Sequence, residues 1–490
     1  LWSCSVLRKA PADIDVECPD GEIRTDKARQ QTASPAGRRE LAGKLAGLTL
    51  HRQVFVLALW PFLEQMLNFM VGFVDIGVAA RLDDAVAATN AIAVAGYVIW
   101  LMSLMHMAVG VGGTAIIARA VGAQHKRLAN TALGQSLLLG VVWGTVVGVA
   151  IYFVAPFIGG MMDLQGESLA MCVAYLQIVS LTSPFAAVLF VGNASLRGAG
   201  DTYTPFACMV VVNVVNSALS VLFVYGPGSL GGHGVSGIAT GTAIAWVLGS
   251  AITLYRLSRG SYGMRLRLIR LLPNYPMLWR IMRNGLPNLV ESFGQWGGNF
   301  MVLKVVSLVA LPAAMGAHMI AIRLEAISFL PGFAIGTAAA TLSGQYLGLG
   351  DSERAKQAVQ ICWRWGAGIM VAMGMLFILI PEVLVRIVTN EPALLEATPP
   401  LLHMAGSIQF FFGTYMVLSQ AMRGAGATRS TAVLSNSLTF FVRLPLAYLL
   451  GIYFELGLQG IWLGLCLELV LRGSAISLLF LHGGWMRAKV

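Results

Sequence analysis

The sequence predicts an all-α polytopic membrane protein with twelve transmembrane helices in two six-helix lobes related by an internal repeat. Three observations predict it. Of 490 residues, 57% are hydrophobic and 11% charged, whereas an ordinary soluble domain carries roughly a quarter charged residues. Apolar runs of the ~20 residues needed to cross a bilayer recur twelve times. Motifs of the first half return in the second at a constant spacing. The six cysteines (Cys4, Cys18, Cys172, Cys208, Cys362, Cys466) are far apart with no CxxC, and the seven histidines form no HExxH. No disulfide framework, metal site or cofactor is therefore expected. The net charge of +10 falls between apolar segments, where it orients helices in a membrane, so no nucleic-acid partner is expected.

Residues 1–52 hold nine Lys or Arg and seven acids ahead of the first apolar run. They are read as a cytoplasmic tail without a cleavable signal peptide. The first methionine is Met66, which leaves the true start of the chain open. Leu41, Leu45 and Leu48 stand at helical spacing, so an interfacial amphipathic helix over 39–52 is the alternative to a tail. Six spans then follow at about 53–80, 86–118, 129–160, 169–196, 204–226 and 235–257, which make an N-lobe over 53–257. A basic linker covers 258–278, and spans at about 279–310, 314–347, 356–381, 398–422, 428–453 and 457–482 make a C-lobe over 279–482, with a cytoplasmic C-terminus at 483–490. The second and eighth runs are long enough to tilt, or to loosen at Gly110, Gly112 and Gly113 or at Pro331 and Gly332. Gly140, Gly144 and Gly148 make a GxxxGxxxG helix-packing face rather than a phosphate loop.

The stretch from Arg256 to Arg283 carries seven Arg and no acid, so the positive-inside rule places it in the cytoplasm, together with both termini. The halves then align. Pro61 matches Pro287, Gly122 matches Gly348, and Arg197-Gly-Ala-Gly200 matches Arg423-Gly-Ala-Gly426, each at an offset of 226; GVSGIATG (234–241) matches GLQGIWLG (457–464) at 223. Six spans per repeat give both halves the same direction through the membrane, as in transporters whose two bundles rock about a central site.

Four segments identify the chain more narrowly: ALWPFLEQMLNFMVGFVD (58–75), SLRGAGDT (195–202), GAHMIAIRLEAISFLPGFAIGTAAATLSGQYLGLGDSERA (316–355) and MRGAGATRS (422–430). In this order they resemble the multidrug and toxic compound extrusion (MATE) family over about residues 53–482. The resemblance implies a V-shaped pair of six-helix lobes and export of mostly cationic amphipathic compounds in exchange for H⁺ or Na⁺. A location in the bacterial inner (cytoplasmic) membrane, among membrane lipids, belongs to the same reading.

Ionisable groups in hydrocarbon are costly and mark candidate sites. In the first span Glu64, Asn68 and Asp75 lie within about 40° of one another around the helix. The stripe is read as an ion-coupling face, with Asp75 and Glu64 as candidates, since a carboxylate can take a proton or offer oxygen to a hard cation. The family's span-one aspartate stands in the same GFVD context as Asp75. Span five places Asn213, Asn216 and Ser220 on one face; family members often carry an acid at the position of Ser220, so a two-carboxylate Na⁺ site is in doubt here and H⁺ is favoured. Span seven has a second stripe of Asn288, Glu291, Gln295 and Asn299. Sodium-coupled relatives carry their glutamate about a turn deeper than Glu291, and the tenth-span stretch IQFFFGTYM (408–416) has no acid. Asn68, Asn213, Asn216, Glu291, Gln295 and Asn299 are the substrate-cavity candidates, with Glu291 either attracting cargo or pairing with Arg323. His318 and Glu325 share a face of span eight and are open to a pH-sensitive pairing or a fixed hydrogen bond, while Lys304 and Arg443 are expected to snorkel. Arg197 and Arg423 are expected to bond helix-terminal carbonyls.

The expected function is therefore a secondary antiporter working by alternating access. The alternative is a lipid-linked saccharide flippase of the same wider superfamily, whose cavity is more cationic. An enzyme is not expected, because no convergent set of His, Asp, Ser or Cys is visible.

Overall fold

The computed structural model describes Leu41 and residues 45–488 apart from positions 83, 163, 261, 310 and 312. Among them the chain is helical throughout its membrane region. The N-lobe consists of α1 (Leu50–Ala79), α2 (Ala85–Gly122), α3 (Lys126–Met161), α4 in two segments (Gly166–Leu181 and Ser183–Ala199), α5 (Tyr203–Tyr225) and α6 (Gly234–Arg259). The C-lobe repeats the order with α7 (Tyr275–Ser307), α8 (Ala314–Leu349), α9 (Ser352–Leu379), α10 in two segments (Pro399–Ser407 and Gln409–Gly424), α11 (Thr428–Tyr453) and α12 (Gly457–His482). Two short helices, Pro381–Val388 and Pro392–Ala397, join α9 to α10.

Eight of these helices are apolar and long enough to span a membrane unaided, and α4 and α10 qualify when their segments are joined. The remaining two, α1 and α7, are 30 and 33 residues long and carry the polar stripes. Both long runs, α2 and α8, are single helices of 38 and 36 residues; neither the glycines of α2 nor Pro331 breaks them. The breaks occur elsewhere, and in register with the repeat: α4 bends by 59° at Thr182 and α10 by 55° at Ile408, positions again 226 apart. Each broken helix closes on its RGAG turn, where Gly200 (φ 96°) and Gly426 (φ 91°) adopt the left-handed conformation that glycine tolerates. The lobes differ in α11, which contains two π-helical stretches, Thr439–Arg443 and Leu449–Tyr453.

Small residues set the packing, as expected where lipid supplies no hydrophobic drive between helices. The Gly144 and Gly148 face of α3 presses on α4: a Cβ on Gly144 would lie 2.7 Å from the Ala187 Cβ, and one on Gly148 would lie 2.5 Å from the Ser180 carbonyl oxygen. The basic linker docks on α3, where Gln135 donates to the carbonyls of Arg270 and Leu272 at 2.7 Å and accepts from the Asn274 amide at 2.9 Å. Leu41 and Leu45 are buried in a cluster with Ile335, Leu342 and Tyr346 of α8, and Gln53 ties this segment down by donating to the carbonyls of Leu45 and Leu48. The described part of 39–52 thus packs on protein rather than lying as an interfacial helix; the rest of that segment is outside the described residues, as is most of the tail.

The two lobes meet in a seam at the end of the bundle that carries both RGAG turns. Gly122 of α2 and Gly348 of α8 face the opposite lobe, and a Cβ on either would stand 2.0 Å from the Gln345 carbonyl oxygen or 2.1 Å from the Arg119 carbonyl oxygen. Hydrogen bonds between described residues cross the seam. Thr341 donates to the Arg197 carbonyl (2.9 Å), Gln345 to the Gly198 carbonyl (3.1 Å), Arg119 to the Ala425 carbonyl (2.8 Å) and Tyr346 to Oε1 of Gln53 (2.8 Å).

Candidate functional site

The stripe on α1 turns toward α4 and α5 of its own lobe, and its three polar residues find three different environments. Glu64, at the level of the α4 end, accepts from Nη1 of Arg197 through both oxygens, at 2.9 and 3.0 Å. One turn on, Asn68 accepts from Nδ2 of Asn213 at 2.9 Å. Asp75 is half-buried, neighbours Asn216, and has an Oδ1 that is buried without a hydrogen-bond partner. Asn216 is itself held by Thr242 (3.1 Å) and Ser220 (3.3 Å), and the Tyr175 hydroxyl lies 3.4 Å from Thr242. Asp75 therefore faces hydroxyl and amide groups, not an arginine. Such surroundings can exchange hydrogen-bonding patterns with a carboxyl in either protonation state.

The C-lobe is organised by charge. Oε1 of Glu291 accepts from Nη2 of Arg423 (2.5 Å), the Tyr415 hydroxyl (3.0 Å) and, at 3.5 Å, Gln295, while its Oε2 is buried without a partner. Gln295 also donates to Tyr415 and Ser435. Asn299 accepts from Arg443 at 2.9 Å. Behind these, fully buried Glu468 of α12 binds Arg443 through Oε2 (2.8 and 3.1 Å) and Arg472 through Oε1 (2.6 Å). Arg472 continues to Thr439 (2.7 Å) and lies 5.0 Å from the Tyr415 ring centre. A carboxylate shared by two guanidiniums, each with further acceptors, is how a buried charge is tolerated.

Several expectations are corrected by this geometry. Glu291 pairs with Arg423, not Arg323, which is exposed. Arg197 and Arg423 reach across to intramembrane glutamates on α1 and α7 instead of helix-terminal carbonyls. Arg443 does not snorkel: it is buried against Glu468. His318 accepts from the Trp462 indole at 3.1 Å, which is the fixed hydrogen bond rather than a pairing with Glu325. His106 lies 3.2 Å from the Ser183 hydroxyl. Four residues escaped the sequence reading. Tyr175 and Thr242 carry no signal that sets them apart from other hydroxyls in helices. Glu468 and Arg472 did carry one, since an acid and a base one turn apart in an otherwise apolar span form an i,i+4 pair. Among the described residues, no three His, Cys, Asp or Glu side chains gather as metal ligands.

Comparison with known proteins places the whole membrane region. The MatE family model matches residues 62–222 and 287–449. A probable multidrug resistance protein NorM of Thermotoga maritima is 28% identical, covering 90% of this chain and 94% of its own. The multidrug resistance protein PmpM of Pseudomonas aeruginosa is 24% identical, covering 87% of this chain and 90% of its own. Among solved structures, a MOP superfamily transporter from Pyrococcus furiosus, described as having a binding pocket of reverse polarity, superposes with a TM-score of 0.83 at 20% identity over 90% of this chain and 97% of that one.

Proposed function

The chain belongs to the MatE family of membrane transporters, and we propose that it exports cationic or amphipathic small molecules in exchange for H⁺ taken up at Asp75. The observation that carries this reading is the contrast between the two acids on α1: Glu64 is paired with Arg197, as Glu291 and Glu468 are with arginines in the C-lobe, whereas Asp75 has a bare, buried oxygen beside Asn216 and Tyr175. An ion can drive a conformational change only through different affinity for two states. A carboxylate held by neutral groups changes its charge without breaking an ion pair. With Ser220 in place of a second acid, H⁺ fits better than Na⁺, which needs several oxygen ligands. The names of the relatives support drugs as cargo. The buried arginines of the C-lobe, Arg423, Arg443 and Arg472, are each engaged by glutamate, so they do not build the open cationic cavity that a saccharide flippase calls for.

The seam then closes the cytoplasmic face of an inner-membrane protein, with the basic linker and both termini on that side. Flux of a fluorescent cation in proteoliposomes, under separately imposed pH and Na⁺ gradients, tests the whole. Asp75→Asn keeps the carboxyl's shape and cannot titrate, so it should abolish pH-driven efflux while retaining cargo binding that no longer responds to pH. Unimpaired pH-driven efflux would sink the coupling role, and loss under a Na⁺ gradient alone would keep the residue and change the ion. For orientation, Arg265→Cys in a chain cleared of native cysteines should resist labelling from outside intact cells.

A further inference from the structure

We propose that Arg197 and Arg423 are positioning residues that connect the intramembrane glutamates to the seam, so that a cation drawn to Glu64 unlocks the lobes. The inference rests on the transport reading but not on Asp75 as the coupling group. Its starting point is the double use of the RGAG turns. The final carbonyls of a helix have no partner within it. At the end of α4 two of these, on Arg197 and Gly198, accept from the other lobe, the Arg197 carbonyl from Thr341 in addition to the Gly200 amide of its own turn and the Gly198 carbonyl from Gln345. At the end of α10 the Ala425 carbonyl is satisfied by Arg119. Each turn is thus a piece of the seam. The arginine that opens each turn is held away from these carbonyls by a glutamate of the neighbouring helix, Glu64 on α1 or Glu291 on α7.

The consequence follows from what a guanidinium does when it loses its carboxylate. A partly buried arginine cannot stay without acceptors, and the nearest strong ones are the carbonyls at its own helix end, the usual partners of a basic residue in a last turn. Arg197 freed from Glu64 would compete with Thr341 and Gln345 for the bonds that close the seam. A cationic cargo attracted to Glu64, whose side chain keeps 9% of its surface open beside Arg197 at 12%, produces the same competition. The two copies are not equivalent. Among the described residues Glu64 has the single partner Arg197, and both oxygens are spent on it. In the C-lobe, Tyr415 and Gln295 also hold Glu291, and the Arg443, Glu468 and Arg472 cluster stands behind them. The N-lobe pair is therefore the releasable latch and the C-lobe pair the fixed one.

Hydrogen–deuterium exchange of the full chain in lipid nanodiscs, without any ion gradient, tests this by following the seam segments 116–124 and 341–350. Glu64→Gln should raise their exchange about tenfold, with 203–225 unchanged as the folding control, and Glu291→Gln should raise it less. Tetraphenylphosphonium should raise exchange in the wild type and add nothing in Glu64→Gln. The double variant Glu64→Gln/Arg197→Gln should restore protection, because no freed guanidinium remains to compete; a merely structural ion pair would leave the double variant as open as the single. Should Glu64→Gln fail to fold, Glu64→Asp, with its shorter reach, should give the same change at smaller size. The proposal is overturned by a seam in Glu64→Gln as protected as in the wild type, by a double variant as open as the single, or by a wild-type seam indifferent to the cation. The Asp75→Asn chain should still respond to the cation, which separates failure of the latch from failure of proton coupling.

Discussion

The two lobes repeat in outline and differ in how they manage charge. At the repeat offsets, Arg443, Glu468 and Arg472 of the C-lobe correspond to Ser217, Ala245 and Gly249 of the N-lobe, while Asp75 corresponds to Met301. One half buries a cross-linked set of arginines and glutamates; the other packs small residues around one carboxylate held by neutral groups. The C-lobe set links α7, α10, α11 and α12 through ionic hydrogen bonds, and the irregular α11, with its π-helical stretch at Thr439–Arg443, points Arg443 and Thr439 into it. On the proposed reading the duplicated fold has specialised: Arg443, Glu468 and Arg472 give one copy a fixed scaffold, and Asp75 lets the other change its charge. Function needs both, because a moving part must move against something.

The comparison can be broken first at Glu468. Glu468→Ala strands two buried guanidiniums and should cost on the order of 3–5 kcal/mol, read as a large fall in melting temperature; a variant that melts with the wild type would show that the cluster is no scaffold. Next come the seam glycines, which test where the lobes are alike. Gly122→Ala and Gly348→Ala each drive a methyl into the opposite backbone, so each should destabilise this packed state by roughly 1–3 kcal/mol. Their effects on melting should match; a clear inequality would mean that the seam does not share the symmetry of the repeat. Smaller still is Thr242→Val, which removes one hydroxyl from Asn216 and should cost about 1 kcal/mol while lowering pH-driven flux without abolishing it. The smallest effect on melting belongs to the residue with the largest effect on transport. Asp75→Asn should shift stability by less than about 1 kcal/mol, since it removes a buried charge that no cation offsets. If it unfolds the protein, Asp75 is structural and the contrast between the lobes disappears.

Hydropathy and the repeat made the twelve spans, the two lobes and the RGAG turns legible in the sequence, because each helix must satisfy its own backbone in lipid and declares itself by an apolar run. The same local rules placed Glu64, Asn68 and Asp75 on one face of α1, and Asn213, Asn216 and Ser220 on one face of α5. Partners were another matter. That Glu64 meets Arg197 and Glu291 meets Arg423 depends on how α4 and α10, bent by 59° at Thr182 and 55° at Ile408, dock in their lobes; Pro184 announces the first bend, and no proline or charge stands beside the second. Arg443 looked like a headgroup anchor because its counter-ion lies 25 residues further along the chain, on another helix. Which face a residue occupies is fixed by the 3.6-residue period of its own helix. Which charge it meets is fixed by how separate helices bend and dock, a three-dimensional outcome of small-residue packing, and only the tertiary structure decided it.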